Sequence, residues 1–302
     1  MENKGNITFT EKPTLRRPYM VCGLSGWVDG GEVATGGVRY LIKQFTAKKF
    51  AEMPAPRYHV YQVPGQISLR PLFKMEDGLI AEHHFPKNQF FYAVNPASDH
   101  DLILFLGTEP SINWEEYANS LVDIAKEFQA ARMYLLGGVL DETPHSREPK
   151  VSCSCTGAEL RDEMRRYNVT FSNYEGPGSF LTNVLYFCKT RGLDAVSFSA
   201  RATYYPEYNI VIPHNPKSIK AVLVRLNNLM RLNLSFTELD SEAREFEGKL
   251  EFMRGQSPRF HAYVEELEKN YIEMPYEEPL EMSSDEAIKF AEDFLKKNKE
   301  QH

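Results

Sequence analysis

The chain has 302 residues, 42% of them hydrophobic and 25% charged, and a formal net charge of −7. This is the composition of a soluble globular protein, with length for one large domain or one domain plus an extension. The acidic balance argues against nucleic-acid binding, which needs a dense basic face, and no stretch reaches the apolar length of a membrane span.

In chain order, the N-terminus MENKGNITFTEKPTLRRPYM has neither the apolar core nor the cleavage site of a secretion signal. YMVCGL (19–24) reads as a strand that ends in a glycine-rich turn. Val38, Leu41, Ile42 and Phe45 then suit one face of a helix beginning near Val33. The segment from Arg57 to Tyr92, rich in aromatics and turn residues, suggests two or three strands or irregular connections. DLILFLG (101–107) and RMYLLGGV (132–139) are near-continuous apolar runs, the pattern of strands covered on both faces. DAVSFSA (194–200) is a further strand and VTFSNYEG (169–176) a more polar one. Helical stripes lie at Tyr117, Leu121, Ile124, Ala125 and Phe128; at Leu181, Val184, Leu185 and Cys188; and at Ala221, Val224, Leu226, Leu229 and Met230. Strands alternating with helices predict an α/β domain over 1–235, with a mostly parallel sheet and helices on both faces.

Beyond Ser235 the composition shifts. Leu239, Ala243, Phe246, Leu250 and Met253 form a helical seam, and Phe260, Val264, Leu267 and Tyr271 continue it on a second helix after Pro258. Ser283 and Glu286 make a capping-box pattern ahead of Ile288, Ala291 and Leu295. This predicts a helical extension over 236–302 whose seam packs on the parent domain, the alternative being another subunit.

The loop GLSGWVDGGE (23–32) invites a chemical reading. A nucleophile elbow needs G-x-S-x-G, but Trp27 stands where the second glycine belongs. The glycines do not have dinucleotide-fingerprint spacing, and no lysine follows to make a phosphate loop. What remains is a strand-to-helix turn with Asp29 as N-cap and Glu32 completing a D-x-x-E capping box. Cys22, Cys153, Cys155 and Cys188 include no C-x-x-C pair. Cys153-Ser154-Cys155 offers half a metal site with no second half, so all four are expected to be free thiols, with no metal and no cofactor.

Further loops sit where strands should end: GTEPSINW (107–114), LDETPHSR (140–147), YEGPGSFLT (174–182), SARATYY (199–205) and NPKS (215–218). Their ordered set resembles the proteasome assembly chaperone 2 family. The matching pieces are a G-W-x-D-x-G turn (Gly26, Trp27, Asp29, Gly31), a G-x-E-P loop with a later tryptophan, and a P-H-[ST]-R segment. A G-P-x-G-like turn and an N-P-K helix start follow, and the resemblance spans roughly residues 19–235. It implies a three-layer α/β sandwich of the phosphorylase/hydrolase kind and homo-oligomers such as trimers. One departure is Ala202-Thr203-Tyr204-Tyr205, where family members often carry P-H-Y, so a role tied to that histidine does not transfer.

Ligands of open α/β sheets bind beyond the carboxyl ends of the strands. By that rule Ser25, Asp29, Glu109, His145, Arg147 and Tyr204 are candidates to line one cleft. There Arg147 would grip an anion, His145 would move a proton, and Glu109 or Asp29 would accept one. Each also has a structural role on offer: Asp29 and Glu109 as helix caps, Arg147 in an ion pair, His145 as a loop residue. Trp27 and Trp114 are expected in the core or at an interface. The expected protein is cytoplasmic, oligomeric and non-enzymatic, an assembly or interaction factor with no catalytic residue assigned. The alternative is a nucleoside phosphorylase/hydrolase-like enzyme or a small-ligand binding protein using that cleft.

Overall fold

The computed structural model describes residues 2–4, 6–61, 71–274 and 276. The capping box expected at Ser283 and Glu286 lies outside them.

Four parallel strands form the centre of one mixed sheet: β3 (Tyr19–Ser25) between β8 (Leu102–Thr108) and β9 (Arg132–Asp141), with β12 (Ala195–Tyr205) beside β9. Antiparallel strands extend it on both sides. Beyond β8 lie β7 (Asn88–Ala93), β4 (Lys48–Met53), β2 (Ile7–Phe9) and β1 (Glu2–Lys4). Beyond β12 lie β10 (Val151–Cys155) and the short β11 (Thr170–Phe171), and β13 (Ile210–Val211) pairs with the end of β12. A separate antiparallel hairpin, β5 (Leu72–Glu76) and β6 (Leu79–His84), fills part of the segment expected to hold two or three strands.

The apolar runs become central strands because both faces are covered. On one face Met20, Cys22, Ile103 and Phe105 meet α2 (Trp114–Glu127) and α4 (Phe180–Thr190) through Tyr117, Leu121 and Val184. On the other, Val21, Leu104, Tyr134 and Leu136 meet α1 (Val33–Gln44) and α5 (Pro216–Met230) through Val38, Leu41, Val222 and Leu226. This is the α/β arrangement with a mixed sheet and helices on both sides that the alternation predicts. The stripe on α5 differs in detail. Val222 and Leu223 are buried while Val224 is only half-buried. This helix packs against α1, β12 and α6 (Thr237–Gln256) at once, so its apolar surface wraps further round than a one-sided stripe.

The helices α6 and α7 (Pro258–Asn270) pack on their own subunit, where Leu250, Phe260 and Val264 enclose Tyr205 at the end of β12. Met253, the last seam residue expected on α6, is exposed. The outer strands β1, β2, β4 and β10 and the short helix α3 (Ala158–Met164) have no counterpart in the sequence reading.

Candidate functional site

The turn after β3 is held by its neighbours rather than left open for chemistry. Ser25 is half-buried, and its hydroxyl donates to Thr108 Oγ1 at 3.3 Å. Glu109 lies beneath the turn and accepts the Trp27 N–H at 2.7 Å and the Phe180 N–H at the start of α4. The same residue donates its own N–H to the Ser25 carbonyl at 2.8 Å. Glu109 therefore ties together the β3, β8 and α4 loops instead of capping α2. Burial raises its pKa, and the two backbone donors act against that rise. Gly26 is fitted to this arrangement: its φ is +150°, and a Cβ there would stand 2.3 Å from Glu109 Oε2.

Asp29 caps α1 from further upstream than the expected N-cap position. Its carboxylate accepts from the N–H groups of Ala34 and Thr35 at 2.8 and 3.0 Å and from the Thr35 hydroxyl at 2.7 Å. Burial raises its pKa to about 6 against those hydrogen bonds. The capping box does not form. A single 3-10 turn over Gly30–Glu32 intervenes, Glu32 is left-handed at φ 51°, and its side chain faces His214 Nδ1 at 3.2 Å.

His145 and Arg147 lie elsewhere, in the loop between β9 and β10, beneath the C-terminal helices. His145 is buried, its Nδ1 2.7 Å from the Tyr205 hydroxyl and its Nε2 2.9 Å from Glu251 Oε1 on α6. Burial lowers its pKa, and Glu251 opposes that effect. Arg147 pairs with Glu273 at 3.1 Å. Tyr204 is half-buried on β12 opposite Val211 of β13. The six candidates thus fall into separate groups: Ser25, Asp29 and Glu109 around the β3 turn, His145 and Arg147 at the docked helices, and Tyr204 on the sheet.

The groove on this side of the sheet, about 550 Å³, is lined by other residues and by none of these six. Its floor is a ladder of hydroxyls, with Ser152 of β10 opposite Ser199 of β12, and Ser154 opposite Ser197. Val196, Phe198 and Ala200 turn to the other face and enter the core. Trp27 and Tyr174, 67% and 68% exposed, stand on its rim, and Arg201 lines it too, 3.8 Å from Asp141. The expectation of a core or interface tryptophan divides here. Trp114 is packed edge-on against Phe180 with its Nε1–H on the Pro110 carbonyl at 2.7 Å, whereas Trp27 points outward. The serines were legible in principle, because V-S-C-S-C and V-S-F-S-A alternate apolar and polar with the period of a half-exposed strand.

Among the described residues no group of three or more His, Cys, Asp or Glu side chains could hold a metal, and no helix is long and apolar enough to cross a membrane.

A mixed sheet with a parallel centre, helices on both faces and loop-built crests at the strand carboxyl ends defines an α/β sandwich protein with a surface groove. The chain belongs to the PAC2 family, whose model matches residues 23–254. It is similar to a PAC2 family protein from Streptomyces avermitilis, at 28% identity over 78% of this chain and 94% of that one, with a TM-score of 0.68. It is also similar to a Mycobacterium tuberculosis proteasome-assembly chaperone homologue, at 26% identity over 82% and 99% of the two chains, with a TM-score of 0.71. A M. tuberculosis protein of unknown function shares the fold at 20% identity, covering 89% of this chain and 92% of that one, with a TM-score of 0.78. No curated relative matches the chain.

Proposed function

We propose that the chain is a non-enzymatic assembly or interaction factor of the cytoplasm that works as a homo-oligomer, a trimer being favoured, and that it makes contact through the β5–β6 hairpin. The observation that carries this reading is the hairpin's surface. Leu72, Phe73, Met75, Leu79 and Ile80 are each between 52% and 73% exposed. A two-stranded hairpin is marginally stable alone, and several large apolar side chains left exposed on it point to a contact surface. The name of the M. tuberculosis relative, a proteasome-assembly chaperone homologue, supports the same reading. So does the use of Asp29, Glu109, His145 and Arg147 as ties between loops and helices. The reading keeps an α/β domain over 1–235 and a helical extension over 236–302.

The test is the double substitution Leu79→Asp and Ile80→Asp, with mass measured by sedimentation and apolar exposure by dye binding. Loss of the oligomer, or loss of dye binding with the oligomer intact, is the expected result. Unchanged mass and unchanged dye binding would end this reading.

The groove favours a second reading, a small-ligand binding protein. Hydroxyls and Arg201 suit a polar or anionic ligand, and Trp27 and Tyr174 offer flat apolar surface. Nucleosides, nucleotides and phosphate are the probes, because a ligand that binds only the folded state raises its melting temperature.

A further inference from the structure

Cys153 and Cys155 alternate with the groove serines on β10, so their side chains leave the strand on the opposite face. There Cys153 is buried in the same core cluster as Leu160 and Met164 of α3, and Cys155 packs against its edge, half-buried. The two Sγ atoms are 3.6 Å apart.

The thiols are not equivalent. The two thiols share a hydrogen bond in which either sulfur can be the donor, and that bond, with Arg132 and Arg161 nearby, holds Cys155 below the usual thiol range against burial and the charge of Glu163. The same hydrogen bond and burial push Cys153 up. One sulfur is thus prepared to be a thiolate and the other lies beside it with its proton, the division of labour of an attacking and a resolving cysteine. Cys22 and Cys188 are buried thiols raised by desolvation, and they serve as internal controls.

We propose that Cys153 and Cys155 form a peroxide-responsive dithiol site whose closure to an intrachain disulfide deforms β10 and the groove on its other face. The Cys155 thiolate attacks one oxygen of hydrogen peroxide. The O–O bond breaks, the leaving hydroxide takes a proton to become water, and Cys155 becomes a sulfenic acid. The Cys153 sulfur then attacks the Cys155 sulfur. The S–O bond breaks, its hydroxyl leaves with the Cys153 proton as a second water, and the S–S bond forms. Two thiols are oxidised and one peroxide is reduced to two waters.

Geometry supplies the mechanical consequence. Disulfide-linked Cα atoms are most often about 5.5–6 Å apart, whereas residues i and i+2 of an extended strand are separated by roughly 6.6 Å. Drawing the sulfurs together from 3.6 Å therefore shortens the strand at Ser154. The weakest neighbour is β11, which pairs only through Thr170 and Phe171, opposite Ser152 and Cys153. Ser152, Ser154 and Ser172 all line the groove, so the deformation reaches it directly.

The experiment treats the reduced full chain with hydrogen peroxide, blocks free thiols, and maps the products by mass spectrometry, with hydrogen exchange on the oxidised form. The expected result is a loss of about 2 Da, a Cys153–Cys155 linkage, and faster exchange over β10 and β11. Cys153→Ser should leave a sulfenic acid on Cys155 that dimedone traps, and Cys155→Ser should leave Cys153 reduced. Binding of one phenylarsine oxide per wild-type chain, blocking the reaction, is an independent check that needs no variant. Persistence of both thiols, over-oxidation of Cys155 without a disulfide, or prior oxidation of Cys22 or Cys188 would overturn the site. A disulfide with unchanged exchange at β10 and β11 would overturn its link to the groove.

Discussion

The Nε2 of His145, in the loop after β9, lies 2.9 Å from Oε1 of Glu251 on α6. The other ring nitrogen is 2.7 Å from the Tyr205 hydroxyl, which also accepts the His145 backbone N–H at 3.0 Å. With that hydroxyl donating to Nδ1, the proton of the neutral ring sits on Nε2 and points at Glu251. Around this link Lys217 Nζ donates to the His145 carbonyl at 2.9 Å and meets Glu247 at 2.7 Å, and Arg254 holds Glu268 with two bonds at 3.0 Å. A residue whose chemistry suggests proton transfer instead joins the C-terminal helices to the sheet. His145→Ala should lower stability by roughly 2–4 kcal/mol, because it opens a cavity and leaves the Tyr205 hydroxyl proton without its acceptor. Hydrogen exchange should quicken over α6 and α7 before it does over β3, β8 and β9.

The same ring sets a pH dependence. Its pKa is lowered in the folded chain, so below the ordinary histidine range the unfolded chain takes up a proton that the folded one resists. The docking therefore contributes stability above about pH 6.5, and this is lost as pH falls toward the folded value. Limited proteolysis between α6 and the sheet should accelerate from pH 7 to pH 5 in the wild type, and His145→Gln should flatten that response.

Glu109 tests the loop arrangement. Substitution by Ala removes the acceptor for the Trp27 and Phe180 N–H groups. The expected cost is about 1–3 kcal/mol, read as a lower melting temperature. Glu109→Gln keeps an acceptor and should recover part of it. Were Glu109→Ala to leave the melting temperature intact, a tie between the loops would not be the role of this residue.

What was legible in the sequence follows from how each element is stabilised. The strands around Val21, Leu104 and Leu135 announce themselves because burial on both faces demands continuous apolar runs. The outer strands do not: Val151–Cys155 buries alternate residues over too short a span to stand out, and Lys48–Met53, with a register shift between Lys49 and Ala51, does not alternate. The candidate site was harder still. Sequence order shows that Glu109 and His145 follow strands, but not that one turns under Trp27 while the other meets a helix 106 residues further on. Those are long-range pairings with no local period. The groove serines have a period, yet serine carries little chemical signal, and a five-residue alternation over 151–155 does not announce a strand.

Asp29 offers the sharpest pH test. Its carboxyl titrates near 6 in the folded chain against 3.8 ordinarily, so between those values the folded chain binds a proton that the unfolded chain has lost. Its contribution, roughly 3 kcal/mol, is present below pH 3.8 and lost as pH rises through 6. Asp29→Asn should remove this downward slope in a plot of melting temperature against pH while keeping an acceptor for Ala34 and Thr35. Asp29→Ala should lower the melting temperature at every pH, because the α1 cap goes with it.

Among the described glycines, Gly138 has the least room for a side chain. Its N–H donates to the Val28 carbonyl at 2.7 Å, and a Cβ there would stand 2.0 Å from the Gly30 carbonyl oxygen and 2.8 Å from Val33 Cβ. Gly30 lies in the β3–α1 connection and Val33 opens α1, so relief requires the turn carrying Trp27 and Asp29 to move off β9. Gly138→Ala should therefore cost at least about 3 kcal/mol. It should also weaken the Asp29 cap, so that the melting temperature falls and the Asp29-dependent pH slope shrinks in the same variant. Gly157→Ala is the matched control, since a Cβ at Gly157 meets nothing within 4 Å. Equal stability of the two variants would show that the close approach of β9 to the β3–α1 turn is not what positions that turn.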